Sequence, residues 1–168
     1  MTNRDNYCRF LRDRSVELSR SFEFTYSNGI YSQVVSILRQ QLDSMVRAIF
    51  LLQIQNTNER NHYIDQTIVL NQKWTYIHSR RIVTDKDMVD VANSLHDCTR
   101  SAYKLGCAFI HLSSLPDYSH ENPFSKLPTS GQDDIKQHLH EYHGFSLAND
   151  LNMETIKQPL ILFITLKK

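Results

Sequence analysis

From Tyr31 to Ile54 the apolar positions Val34, Val35, Ile37, Leu38, Leu42, Met45, Val46, Ile49, Phe50 and Leu52 return at steps of three and four. That interval puts side chains on one face of an α-helix, so the stretch predicts a long central helix with a broad apolar stripe. Before it, Tyr7, Phe10, Leu11, Val16, Leu18, Phe22 and Phe24 are spaced less regularly but mostly share one face. They predict a first helix from about Asp5 to Tyr26, stopped by Ser27-Asn28-Gly29. Asn56 or Thr57 is placed to cap a third helix running to about Ile77, with Glu59 near its positive end and Ile64, Ile68 and Trp74 turned inward. Ser79-Arg80-Arg81 then forms a charged turn.

Thr84 with Asp87 three residues later is a capping-box pattern, Asp standing in for the longer Glu or Gln. It opens a helix carrying Met88, Val91 and Leu95 that continues, with a bend, into Tyr103 to Leu112. Three of the four prolines fall between Ser113 and Ser130, which predicts a long loop holding Tyr118 and Phe124. Ser130 and Asp133 repeat the capping pattern ahead of a helix from about Gln132 to His143, with Gly144 as its left-handed stop. A last helix is expected from near Asn152. Its run Leu160-Ile161-Leu162-Phe163-Ile164, just after Pro159, is read as helix in preference to strand. The sum is an all-α, single-domain bundle of about six or seven helices, its core built on Tyr31 to Ile54 and Asp87 to Leu112.

Composition narrows the function classes. Four glycines and four prolines supply few turns, which favours long helices over many short strands. Nineteen Lys plus Arg against eighteen Asp plus Glu leave a net charge of +1, so no overall field draws in nucleic acid or an anionic membrane, and any such binding must be local. Cys8, Cys98 and Cys107 are an odd number at wide spacings, and read as free thiols of a reducing compartment. No uninterrupted apolar run reaches the roughly 20 residues of a membrane span, and the polar start does not resemble a secretion signal. A cytoplasmic protein without a membrane partner is the expectation. Phosphate-cradling glycine loops, the Gly-x-Ser-x-Gly elbow and the dinucleotide fingerprint are all missing from the sequence. His138, His140, His143 and Glu141 crowd one helix, but side chains two apart diverge and no fourth ligand stands nearby, so neither a metal nor another cofactor is expected.

The chemistry is densest from Arg100 to Tyr118. Gly106, Cys107 and Ala108 are small residues in mid-helix, which lets another helix come close. His111 follows near the helix C-terminus, where the negative end of the dipole favours its protonated form. With Arg100 or Lys104 on preceding turns, it is placed to protonate a leaving oxygen or to hold a phosphate; the plain alternative is that it caps its own helix. Asp117 and Tyr118, with His120 and Glu121, concentrate polar groups in the loop that follows and are candidates for contacting substrate. The basic pairs Arg80-Arg81 and Lys167-Lys168 read as solvated charge.

The pairing of Leu38-Arg39-Gln40-Gln41-Leu42-Asp43-Ser44-Met45-Val46-Arg47 with Tyr103-Lys104-Leu105-Gly106-Cys107-Ala108-Phe109-Ile110-His111-Leu112-Ser113 resembles the helical HEPN superfamily over roughly Ser32 to Tyr118. The resemblance implies a small helical bundle that dimerises around a shared cleft and, in many members, cuts RNA without a metal in defence or toxin systems. It implies His111 as the acid or phosphate contact, and Lys104, Arg100, Arg39 or Arg47 as its cationic partner. The superfamily's motif is an arginine followed by histidine after four to six residues. Here Lys104 stands at the longest of those spacings and Arg100 lies further upstream; a lysine does not reproduce the two-pronged grip of arginine on phosphate. Two functions follow as expectations: a homodimeric RNA-acting protein, or a non-catalytic helical module whose Gly106–Ala108 patch and Ser113–Ser130 loop bind a protein partner or a second copy.

Overall fold

The computed structural model describes residues 1–95, 98–110 and 122–156, with the side chains of 108–110 and 123 excepted. Among these residues the chain is all-helical: α1 (Asn3–Ser27), α2 (Tyr31–Gln53), α3 (Thr57–Ile68), α4 (Asp85–Asn93), α5 (Thr99–Ile110) and α6 (Thr129–His143), with a short 3-10 turn at Pro123–Lys126. The expected stretches Leu112 to Ser113, Asp117 to Glu121 and the Leu160–Ile164 tail lie outside the described residues.

The first two helices form a hairpin through Asn28-Gly29-Ile30. Gly29 takes φ +69°, a left-handed conformation open to glycine at no steric cost. At its start α1 carries a full capping box: Thr2 Oγ1 accepts from Asp5 N–H, and the Asp5 carboxylate accepts from Thr2 N–H at 2.8 Å.

Both long helices serve two cores in succession. The C-terminal half of α1 and the first turns of α2 bury Leu18, Phe22, Val34 and Ile37 with Leu105, Ile135, Leu139 and Ile156. The other halves bury Tyr7, Leu42, Val46 and Phe50 with Tyr63, Trp74 and Met88. A polar layer lies between, where the buried Gln41 donates to Ser15 Oγ at 3.1 Å. Tyr26 donates to the carbonyl of Met153 at 2.6 Å and ties the 151–156 segment to α1.

Three elements depart from the sequence pattern. The third helix ends at Ile68 rather than Ile77. Asn71 turns left-handed at φ +49°, and the Gln66 amide then pairs with Thr75 twice, accepting from its N–H at 2.8 Å and donating to its Oγ1 at 2.6 Å. The chain runs on as a loose hairpin, with Thr75 and Ile82 bridged antiparallel and Val83 N–H donating to the Trp74 carbonyl. Trp74 is therefore inward as expected, but from a turn and not from a helix.

The expected long helix from Asp87 is two helices, α4 and α5. α4 stops at Asn93, and Asn93 Oδ1 accepts from Arg100 N–H at 2.9 Å, supplying α5 with a partner for one of its free N–H groups. The sixth helix starts three residues early, at Thr129 behind Pro128, so Ser130 lies inside its first turn and does not cap it. Its end is as read, with Gly144 left-handed at φ +68°. Asn152 also opens a turn, its Oδ1 accepting from Glu154 and Thr155 N–H.

Candidate functional site

The cationic candidates separate into two places. Arg39 and Arg47 stand two turns apart on one face of α2, with Asp43 between them, and the first turn of α4 brings Asp85 against the same face. Arg39 reaches Asp43 at 3.9 Å and Asp85 at 3.6 Å; Arg47 reaches the same two carboxylates at 3.2 and 3.5 Å. Tyr103, from α5, donates to Asp85 at 2.6 Å and lies under the Arg39 guanidinium, 3.7 Å from ring centre to carbon. Burial raises the Tyr103 phenol far above its usual range, and the bond to Asp85 adds to this, so it is held as a donor. Two arginines against two aspartates make a charge-balanced cluster that pins α2, α4 and α5 together.

Gly106 belongs to that cluster. A Cβ built on it would stand 2.7 Å from Arg39 Cδ and 2.9 Å from Arg39 Cβ. The small residue thus serves a close approach, but the group it admits is the Arg39 stem of the same chain.

Arg100 and Lys104 lie on another face of α5. Arg100 is held by Asp90 at 2.7 Å, and Arg100 and Lys104 line a hollow of about 230 Å³ against the start of α6, where Ser101 donates to Asp134. The structure therefore does not bring Arg100 and Lys104 together with Arg39 and Arg47. His111, Asp117 and Tyr118 lie outside the described residues. His140 bonds the Phe145 carbonyl at 2.8 Å, a local contact at the end of α6. Among the described residues no three His, Cys, Asp or Glu side chains are placed to hold a metal ion. All three cysteines are free thiols, Cys98 buried and Cys8 exposed.

The sequence reading missed a groove of about 440 Å³ between α1, α2 and the turn after α3. Arg14, Arg47 and Lys73 line it, with Phe10 and Leu11 on one wall, Trp74 and Tyr7 in its floor, and the amides of Asn71 and Gln72 at its rim. No carboxylate lines it, and neither Arg14 nor Lys73 has an ion-pair partner among the described residues. Arg47 links groove and cluster, its guanidinium 5.4 Å from the Trp74 ring centre. The floor is rigid: Trp74 donates to Thr67 Oγ1 at 2.8 Å and packs on Phe50 and Tyr63. Phe10 is half exposed, with Arg9 over its ring at 4.9 Å. Arg14 and Lys73, cations without matching acids, beside the half-exposed Phe10 ring and amide groups, suit an anion that also carries rings and hydrogen-bonding edges. A net charge near zero hides such a patch, because it arises where α1 meets a turn some sixty residues later.

Comparison with protein-family models, curated proteins and solved structures found no match to this chain. No helix among the described residues is long and apolar enough to cross a membrane.

Proposed function

We propose that the chain is a HEPN-like, single-domain helical protein that binds single-stranded RNA through the groove between α1, α2 and the Asn71–Trp74 turn. The carrying observation is the convergence of Arg14 and Lys73, neither of them in an ion pair among the described residues, on a cavity with no carboxylate lining, beside the exposed Phe10 ring. Phosphates take the cations and a splayed base takes the apolar wall, the division of labour by which single strands are held. An A-form duplex is too wide for a hollow of this size.

Binding is favoured over cleavage. Arg39 and Arg47, the candidates to replace the motif arginine, already engage Asp43 and Asp85. The rival protein-docking reading loses part of its basis too, since Gly106 faces Arg39. A cytoplasmic homodimer acting in defence is the setting that the composition and the resemblance imply.

The test is fluorescence anisotropy with a labelled single-stranded RNA, across a salt series. Arg14→Ala and Lys73→Ala should each weaken binding and flatten the log–log salt slope by about 1, one phosphate contact apiece. Unchanged affinity and slope in the double variant would overturn the proposal. Incubating an RNA pool with wild type and His111→Ala in EDTA separates binding from cutting: cleavage that disappears in the variant would restore the ribonuclease reading.

A further inference from the structure

The groove and the charge cluster share one side chain. Arg47 lines the groove beside Arg14 and Lys73, with its guanidinium 5.4 Å from the centre of the Trp74 ring in the groove floor. Of these three cations it is the one held by carboxylates: Nε donates to Asp43 Oδ2 at 3.2 Å, and Nη2 to Asp85 Oδ1 at 3.5 Å. Nη1 forms no hydrogen bond among the described residues.

The two holds are unequal. Asp43 stands one turn earlier on α2, so helix geometry keeps it beside Arg47. Asp85 comes from the start of α4; its side chain is 48% exposed and its contact is longer than an ordinary hydrogen bond. An ion pair of that kind is worth little. Asp85 also has other partners, on its other oxygen. Tyr103 donates to Oδ2 at 2.6 Å, and Arg39 stands 3.6 Å from the same atom. Asp85 can therefore lose Arg47 and remain paired. A phosphate, by contrast, offers the guanidinium fork two charge-assisted bonds at once.

We propose that Arg47 is a third phosphate contact of the groove, restrained by Asp85 in the free protein and passed to the RNA backbone when a strand binds. Asp43 keeps hold of Nε, while Nη2 leaves Asp85 and takes the phosphate together with Nη1. Asp85 is thus a brake on the groove, and a bound strand releases one link between α2 and α4. The coupling is reciprocal: Asp85 weakens RNA binding by the factor by which RNA weakens its hold on Arg47. This regulation rests on RNA binding at the groove as proposed above.

The experiment is anisotropy with the same labelled single-stranded RNA, across the same salt series, on Asp85→Asn, Arg47→Ala and the double variant. Asparagine removes the charge but keeps an acceptor for Tyr103. Asp85→Asn should bind about fivefold more tightly at low salt, the worth of one unit charge at ion-pair distance in water. Arg47→Ala should weaken binding and flatten the log–log salt slope by about 1. In that background the gain from Asp85→Asn should fall below twofold. No binding by wild type or by Asp85→Asn would remove the RNA groove itself. Wild-type binding with no gain in Asp85→Asn would overturn the brake alone, and so would a gain undiminished by Arg47→Ala, which a general field would give. Should Asp85→Asn fail to fold, nitrogen-15 spectra of the wild-type arginine side chains decide. RNA should move the Arg47 Nη signals and leave those of Arg39 in place, and unmoved Arg47 signals in the RNA-bound protein would overturn the exchange.

Discussion

At position 106 the backbone of α5 lies against the stem of Arg39, and no side chain fits between them. The two shortest distances from a built Cβ, 2.7 and 2.9 Å, are to Arg39 Cδ and Cβ. Cβ is fixed to the α2 backbone and is not a flexible end that swings away. Gly106→Ala should therefore destabilise the fold by about 1 to 3 kcal/mol despite alanine's better helix propensity, as overpacking does. Urea denaturation measures it directly, and a stabilised variant would mean that α2 and α5 separate at little cost. The same position shows how a residue read for one purpose serves another. Small residues in mid-helix are legible in a sequence as a place of close approach, but what approaches is decided by the packing.

At the level of single elements, the helix starts differ in how much of their stability is local. α4 is only nine residues long, too short to persist alone, and opens on a complete box in which Thr84 and Asp87 bond each other's backbone. Thr84→Ala should cost about 1 kcal/mol, the ordinary worth of an N-cap, and Thr84→Ser much less. Asp87 gives this box a pH dependence. Burial pushes its carboxyl up, but the N–H and hydroxyl of Thr84 and the Arg81 guanidinium at 3.2 Å outweigh that and hold it below 3.8. A carboxyl whose folded pKa is depressed stabilises the fold above its unfolded value, so this contribution is complete above about pH 4 and fades as pH falls through the lowered value. The stabilities of wild type and Asp87→Asn, compared through an acid titration, should therefore converge once the pH has fallen through that lowered value. The opening of α6 behaves otherwise: Pro128 precedes it, no side chain caps it, and its stability comes from Ile135 and Leu139 in the core.

Across the whole molecule, two tyrosines in the second core link stability to alkaline pH. Burial raises Tyr7 and Tyr63 each from 10.0 to about 12. The unfolded chain ionises its phenols near 10 and so gains over the folded state above that pH. The fold should lose stability as pH climbs from about 10 to 12, by up to about 1.4 kcal/mol per unit for each tyrosine. Phenolate absorbance followed beside circular dichroism tests this. Titration of all eight tyrosines at pH 10 with the helix signal intact would show that neither ring is buried in solution.

The chain's own pattern determined what depends on neighbours in sequence. The three- and four-residue apolar rhythm yields α2, Ser27-Asn28-Gly29 the end of α1, Thr84 with Asp87 the start of α4, and Gly144 the end of α6, because periodicity, caps and left-handed stops act within a turn or two of backbone. Tertiary structure decided the rest. It ended α3 at Ile68 through the Gln66–Thr75 pairing and broke the α4–α5 stretch at Asn93, whose side chain reaches Arg100. Arg39 and Arg47 were legible as cations; that Asp85 neutralises them was not, since nearly forty residues intervene. The groove is the clearest case. Arg14, Arg47 and Lys73 sit on three different elements, and their common field exists only once α1, α2 and the turn after α3 are packed, because electrostatic potential adds over distance in space and not along the chain.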